Sequence, residues 1–398
     1  MTMVVSRGKG LASAERMSRL GTESAFEVLA AARALEAKGH RVVHLEIGEP
    51  DFDTPKNIVE AAVRALQEGW THYGPSAGLP EARAAVAADI SKRRGIQVTA
   101  DNVVITPGGK PVMFYTIFAL VNEGDEVIYP DPGFPIYESL IRFVNAKPVP
   151  IKLREENHFR LDVEELSRLV TDRTRLLIIN SPHNPTGSML EESDLAAIAE
   201  ICAERGIAVL ADEIYNRIIY EGKHRSIWTY PGMDKLTIIL DGMSKTYAMT
   251  GWRLGYGVMD PDLAVRVARL MTNSNSCTAS FSQQAMIEAV TGDQSAVDSM
   301  VTTFRKRRDL VVKLLNEVPG VTCQLPPGAF YVFPNVKSFK RPVKAIGEHL
   351  LQKQYVATLG GTAFGAGGEG YLRLSYAASE DNLREGVKRL AAGLATLG

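Results

Sequence analysis

The amino-acid sequence predicts an α/β fold, with a larger part built in three layers on a mainly parallel sheet and a smaller α+β part at the carboxyl end. Three observations carry this. Six nearly continuous apolar runs of strand length stand at 103–106, 126–129, 176–180, 207–211, 236–240 and 254–258. Amphipathic helical patterns at 111–121, 192–204 and 261–272 lie among them. Consecutive apolar residues mark a strand buried on both faces, and strand–helix alternation marks a parallel sheet covered by helices. Past residue 290 the pattern changes to a long helical stretch at about 296–316 and short strands at 330–333 and 371–375.

In chain order, residues 1–10 are basic, lack the apolar core of a signal peptide and read as an arm. A helix at 25–38 follows and is expected to pack beside the smaller part. We therefore divide the chain into an N-terminal arm and helix at 1–48, a large domain at 49–290 and a small domain at 291–398. The closing helix carries Leu383, Val387, Leu390 and Leu394 on one face. Ser379 suits its N-cap, and Glu380 and Asp381 in the first turn complement the helix dipole.

With 398 residues, 45% of them apolar and 23% charged, the composition is that of a globular protein with a large core. The 45 basic and 46 acidic side chains leave a net charge of −1. No general attraction to nucleic acid or to a membrane surface is expected, so any anion must be held by a local site. No apolar run is long enough to span a bilayer. Cys202, Cys277 and Cys323 are scattered, which argues against a disulfide scaffold or a structural zinc and suits a reducing compartment, with the cytoplasm as the expected location.

Four motifs sit at strand ends, where α/β sheets collect ligands. Lys245 and Arg253 lie eight residues apart in the segment 242–255, after the strand at 236–240. A buried lysine near other cations is partly neutral and can attack a carbonyl, while arginine clamps a phosphate with paired hydrogen bonds. Asp212 ends the strand at 207–211, with Glu213 and Tyr215 after it. Asn180-Ser181-Pro182-His183-Asn184-Pro185 forms a rigid turn after the strand at 176–180. Thr106-Pro107-Gly108-Gly109-Lys110-Pro111 joins a strand to a helix N-terminus, where free N–H groups favour an anion. Read singly, Asp212 could equally cap a helix, and a loop lysine could be a solvated charge.

Taken together and in this order, the motifs resemble those of the class I/II aminotransferases, which are fold-type I pyridoxal-phosphate enzymes; the resemblance runs from Gly48 to Arg373. It implies that Lys245 carries pyridoxal 5'-phosphate and moves the substrate proton. It implies that Asp212 pairs with the pyridinium nitrogen, that Tyr215 and Asn184 reach the ring's phenolic oxygen and that Phe134 stacks on the ring. Gly109, Lys110, Ser244 and Arg253 would hold the phosphate, joined by Tyr73 from a neighbouring subunit. Arg373 would grip the substrate α-carboxylate, with Gly48 and Asn184 beside it. An arginine within an apolar strand is costly without an anionic partner, which points to the same role independently. Gly242 departs from the family pattern, since many relatives carry a phosphate-binding serine there. His183 is set aside as a base.

The resemblance implies ping-pong transamination between an amino acid and a 2-oxo acid by a homodimer with shared sites. At the position of Lys110, aspartate and prephenate aminotransferases place a lysine on the distal carboxylate, so aspartate or glutamate is the expected donor. The other reading leaves the Lys110 side chain in solvent with only its backbone acting. Aromatic, alanine or broad-range transamination, a β-lyase, and a cofactor-sensing regulator are the alternatives; the regulator needs a DNA-binding module for which we expect no room. The run Gly365-Ala366-Gly367-Gly368-Glu369-Gly370 matches a dinucleotide fingerprint but precedes a strand instead of a helix, so it reads as a flexible loop near the substrate, with Phe364 at the pocket.

Overall fold

The structure is a computed structural model and describes residues 11–397; the arm expected at 1–10 lies outside the described residues. The strands along the chain are β1 Val43–His44, β2 Val103–Thr106, β3 Glu126–Asp131, β4 Lys147–Lys152, β5 Thr174–Asn180, β6 Ala208–Asp212, β7 Thr237–Gly242, β8 Gly255–Val258, β9 Tyr331–Val332, β10 Val356–Ala357, β11 Leu359–Gly360 and β12 Leu372–Ser375. Strands β2 to β8 form one sheet in the order β2-β8-β7-β6-β5-β3-β4. Only β8 runs against its neighbours, β2 and β7, so the sheet is mainly parallel as expected.

The apolar runs are continuous because both faces of the sheet are covered. Along β5, Leu176 and Ile178 enter one apolar cluster and Leu177 and Ile179 another. Along β6, Leu210 joins the first cluster and Val209 and Ala211 the second. Each valine, leucine or isoleucine among them contributes roughly 1.5–3 kcal/mol on leaving water. The anticipated helices appear as Lys110–Leu120, Glu192–Arg205 and Pro261–Ser274. Asp260 caps the last of these, and Gly206, in the left-handed region at φ 64°, ends the second.

Other elements were not legible. β4 carries prolines at 148 and 150, which a central strand could not accept; it is the sheet edge and pairs with β3 alone. Helix Lys56–Gln67 buries Ile58 with three alanines, and helix Pro80–Arg94 buries Val86 and Ile90 with two.

Beyond the large sheet, β11-β12-β9 form a small antiparallel sheet, and β1 pairs with β10 in parallel. The helices Ser295–Asn316 and Glu380–Ala395 lie against each other, and the second buries Leu383, Val387, Leu390 and Leu394. The Ser379 hydroxyl accepts the Asn382 N–H at 3.3 Å, as the cap requires. The helix Ser24–Glu36 packs Ala32 and Leu35 on Leu351 and Ala357.

A buried polar network braces the sheet. Arg94 reaches Glu213 at 2.8 Å and Asp241 at 2.7 Å, with all three side chains almost wholly enclosed. Tyr256 and Asn216 each donate to Asp241 at 2.8 Å, and Ser226 donates to Glu213 at 2.6 Å. Burial alone would raise the Glu213 pKa, but Arg94 and His224 outweigh it and bring the value down to about 2. Breaking a buried ion pair by removing one partner typically costs about 3–5 kcal/mol. Arg94→Met is therefore expected to lose that much stability in urea unfolding, whereas a loss too small to measure would mean that the two carboxylates are braced by other groups.

Candidate active site

The carboxyl ends of β2, β5, β6 and β7 open on one cavity of about 580 Å³. Its walls include Gly48, Gly109, Lys110, Phe134, Asn184, Asp212, Tyr215, Ser244, Lys245, Arg253 and Arg373. Eleven of the twelve site residues expected from sequence thus meet in one place. The twelfth, Tyr73, is 91% exposed and is not part of the cavity wall of its own chain.

Asp212 ends β6, where register places it beside Asn180 of β5. The Tyr137 hydroxyl donates to its Oδ2 at 2.7 Å and the Ile214 N–H to its Oδ1 at 3.3 Å. Both partners are neutral, so burial dominates and pushes the carboxyl up to about 6. Asn180 positions the next loop: its amide donates to the Asp212 carbonyl at 2.9 Å and its Oδ1 accepts the Asn184 N–H at 2.8 Å. Tyr215 shares a hydrogen bond of 2.8 Å with Tyr331, and the edge of Phe134 meets Tyr137 with centroids 5.7 Å apart.

Lys245 lies in the short helix Met243–Thr246 directly after β7. Its Nζ donates to the Gly48 carbonyl at 2.6 Å. Burial lowers the amine to about 8 against the opposing charge of Glu49. Gly48 thus faces the lysine through its carbonyl, and a Cβ there would overlap the Tyr331 hydroxyl. Arg373, on β12, is 4% exposed and lies 4.6 Å from the Tyr331 ring centroid and 4.9 Å from that of Phe364. Its guanidinium donates to Asn184 Oδ1 at 3.3 Å and to the Glu46 carbonyl, and its Nε has no partner.

Elsewhere on the cavity wall, Gly109 and Lys110 begin the helix Lys110–Leu120, whose first N–H groups have no partner within the helix. Arg253 donates to the Thr250 carbonyl at 2.8 Å and lies over Gly108, where any Cβ would strike the guanidinium. Gly108 also holds a φ of 94°, so glycine is required there twice over. A side chain at Gly242 would come within 2.9 Å of the backbone at Leu254 and Gly255, so close packing of β7 on β8 crowds this position.

Sequence reasoning gave no role to Tyr137, Tyr331 or the backbone of Glu46, and quoted Asn180 only as the start of its turn motif. Tyr137 lies on the helix Ile136–Phe143, which no pattern announced, and the others meet the site only through tertiary packing. His183 is fully enclosed, bonded to Thr186 at 2.8 Å and pushed down to about 3 by burial, so it stays neutral behind the loop. The glycine-rich stretch 365–370 forms short turns docked on Asp131, whose Oδ1 accepts the Gly367 N–H at 2.9 Å, and Phe364 does line the cavity. Among the described residues, no helix is long and apolar enough to cross a membrane.

A buried amine of lowered pKa, a buried carboxylate without a cation, a helix-end anion cradle and a buried guanidinium without a carboxylate together suit a carbonyl-bearing, phosphorylated cation and a carboxylate substrate. The chain matches the family of class I and II aminotransferases over residues 40–390. It is 41% identical to a probable aspartate/prephenate aminotransferase of Aquifex aeolicus, over 97% of this chain and 99% of the relative. It superimposes on the aspartate aminotransferase of Thermus thermophilus with maleate at a TM-score of 0.91 and 35% identity, covering 97% and 100% of the two chains. An aromatic aminotransferase from Pyrococcus horikoshii gives a TM-score of 0.87 at 39% identity, covering 91% and 98%. The chain belongs to the class I and II aminotransferases and is a pyridoxal-phosphate-dependent enzyme of transamination.

Two predictions follow from the charges. Attachment of the cofactor at Lys245 would need the neutral amine, which is lost as pH falls below about 8. The rate at which apoprotein and pyridoxal phosphate form their visible absorption band is expected to rise about tenfold per unit up to that pH and then level. A rate still climbing toward pH 10 would mean an unperturbed lysine. Tyr137→Phe removes a hydrogen bond to a carboxylate, worth about 1.5–3 kcal/mol, and should weaken cofactor binding to the apoprotein by roughly ten- to a hundredfold in equilibrium titration.

Proposed function

We propose that the protein transfers the amino group of aspartate or glutamate to a 2-oxo acid such as 2-oxoglutarate by a ping-pong sequence. The observation that carries this is the presence of two cationic side chains, Arg373 and Lys110, on one cavity wall set. Arg373 suits the α-carboxylate every substrate shares, and Lys110 suits a second, distal one. The names of the Aquifex and Thermus relatives support the same donor class.

Pyridoxal phosphate supplies an electron-withdrawing ring that stabilises negative charge at the substrate α-carbon. In our reading Lys245 would hold it covalently, Asp212 would meet its ring nitrogen, and Tyr215 and Asn184 its phenolic oxygen. Phe134 would stack on the ring, while the Gly109 and Lys110 N–H groups, Ser244 and Arg253 would hold the phosphate. The fit rests on Asp212, whose enclosed carboxylate has only neutral partners and lacks the cation that a protonated ring nitrogen brings. Arg373 fixes the substrate by its carboxylate, and Asn184 keeps the guanidinium in place. Nζ of Lys245, once free of other bonds, takes the proton from the substrate α-carbon and returns it one position away. Exposed Tyr73 would complete a neighbour's phosphate site, which makes the homodimer the working unit.

A second reading, transamination of aromatic donors, is favoured by Phe26, Met113 and Phe364 on the cavity wall and by the aromatic aminotransferase of Pyrococcus. Mixing holoenzyme with single amino acids and following the visible band separates the two. Conversion of the cofactor to its amine form by aspartate or glutamate is the expected result. Conversion by aromatic donors alone would replace the first reading with the second, and elimination products without the amine form would point to a lyase.

A further inference from the structure

The cavity wall holds an ion pair that the reaction itself does not use. Lys110 Nζ is bonded to the Glu23 carboxylate and lies 5.6 Å from the centroid of the Phe134 ring. The two partners come from different elements: Lys110 opens the helix Lys110–Leu120, and Glu23 immediately precedes the helix Ser24–Glu36. Glu23 and the next three residues, Ser24, Ala25 and Phe26, all line the cavity. Glu23 makes no capping bond to its own helix, so nothing local explains a carboxylate at this point. Its charge is felt at both Lys245 and Arg373, which places it within electrostatic reach of the reacting end of the substrate.

Two physical consequences follow. The Lys110 side chain is half exposed and that of Glu23 is 17% exposed, and a pair this open to water is weakly held and readily exchanged. While it is closed, the pair itself carries no net charge. While it is open, Lys110 offers a cation to a distal carboxylate. In a ping-pong sequence one cavity must admit two different substrates, and a lysine left without a partner beside an uncharged side chain would be penalised for its desolvation.

We infer that Glu23 is a specificity-determining residue: it closes on Lys110 when the bound side chain is uncharged and releases Lys110 when that side chain bears a carboxylate. This rests on the reading of Lys110 as the distal-carboxylate partner. Glu23 competes with acidic substrates for Lys110 and thereby keeps uncharged ones admissible.

The test compares the wild-type holoenzyme with Glu23→Gln, which keeps the shape and removes the charge. Half-reactions with aspartate and with alanine are followed through the visible band, and binding of succinate, a dicarboxylate with no amine, is measured by calorimetry. Glu23→Gln is expected to raise the preference for aspartate over alanine, and to tighten succinate, by about two- to fivefold, the range an ion pair half in water supplies. Adding Lys110→Met to Glu23→Gln is expected to abolish both the gain in aspartate preference and the tightening of succinate. A preference and a succinate affinity that do not move, or a change equal for both donors, would overturn the inference and leave the acidic-donor reading intact. Failure of the wild type itself to bind succinate and convert aspartate would remove that reading, and this inference with it.

Discussion

Three ionisable side chains with only neutral hydrogen-bond partners set the character of this protein. Asp212 is bonded to a tyrosine hydroxyl and a backbone N–H, Lys245 to a backbone carbonyl, and Arg373 to an asparagine amide and a backbone carbonyl. Left so, each charge is expensive to enclose, and the shifts of Asp212 upward and Lys245 and Arg373 downward are the signature of that cost. A cofactor with a cationic ring and a reactive carbonyl, and a substrate with a carboxylate, complement these groups. Binding energy is therefore stored in the fold as unmet electrostatic demand.

Holding such groups apart needs a rigid frame. The sheet supplies it for Asp212, since β6 is paired on both sides and its register places Asn180 alongside. Behind it, Arg94 pairs with both Glu213 and Asp241, so that the residue next to Asp212 in sequence faces a cation while Asp212 itself does not. The segment 44–48 has a comparable double duty. The Glu46 carbonyl takes Arg373 and the Gly48 carbonyl takes Lys245, which couples the small sheet to the large one through five residues.

Much of this was readable in advance for local reasons. The six apolar runs announced a covered sheet because alternate residues of each strand enter cores on opposite faces. Lys245, Asp212, Asn184 and Gly109 stand at strand ends, so their convergence follows from the parallel topology. Tyr137 and Tyr331 were illegible because a hydroxyl that supports a carboxylate or a second tyrosine leaves no periodic mark. β4 was hidden by its prolines, which only an edge position tolerates.

What the sequence by itself determined is the chemistry available: which amine, carboxylate and guanidinium stand at strand ends, and that the cradle between strand and helix must be glycine. Tertiary structure alone decided how those groups are charged and shared. The pairing of Lys110 with Glu23, 87 residues away, and of Arg373 with the Glu46 carbonyl, 327 residues away, depends on two helices and two sheets meeting at one cavity. Electrostatic energies depend on distance and on exclusion of water, and neither exists until the chain has folded.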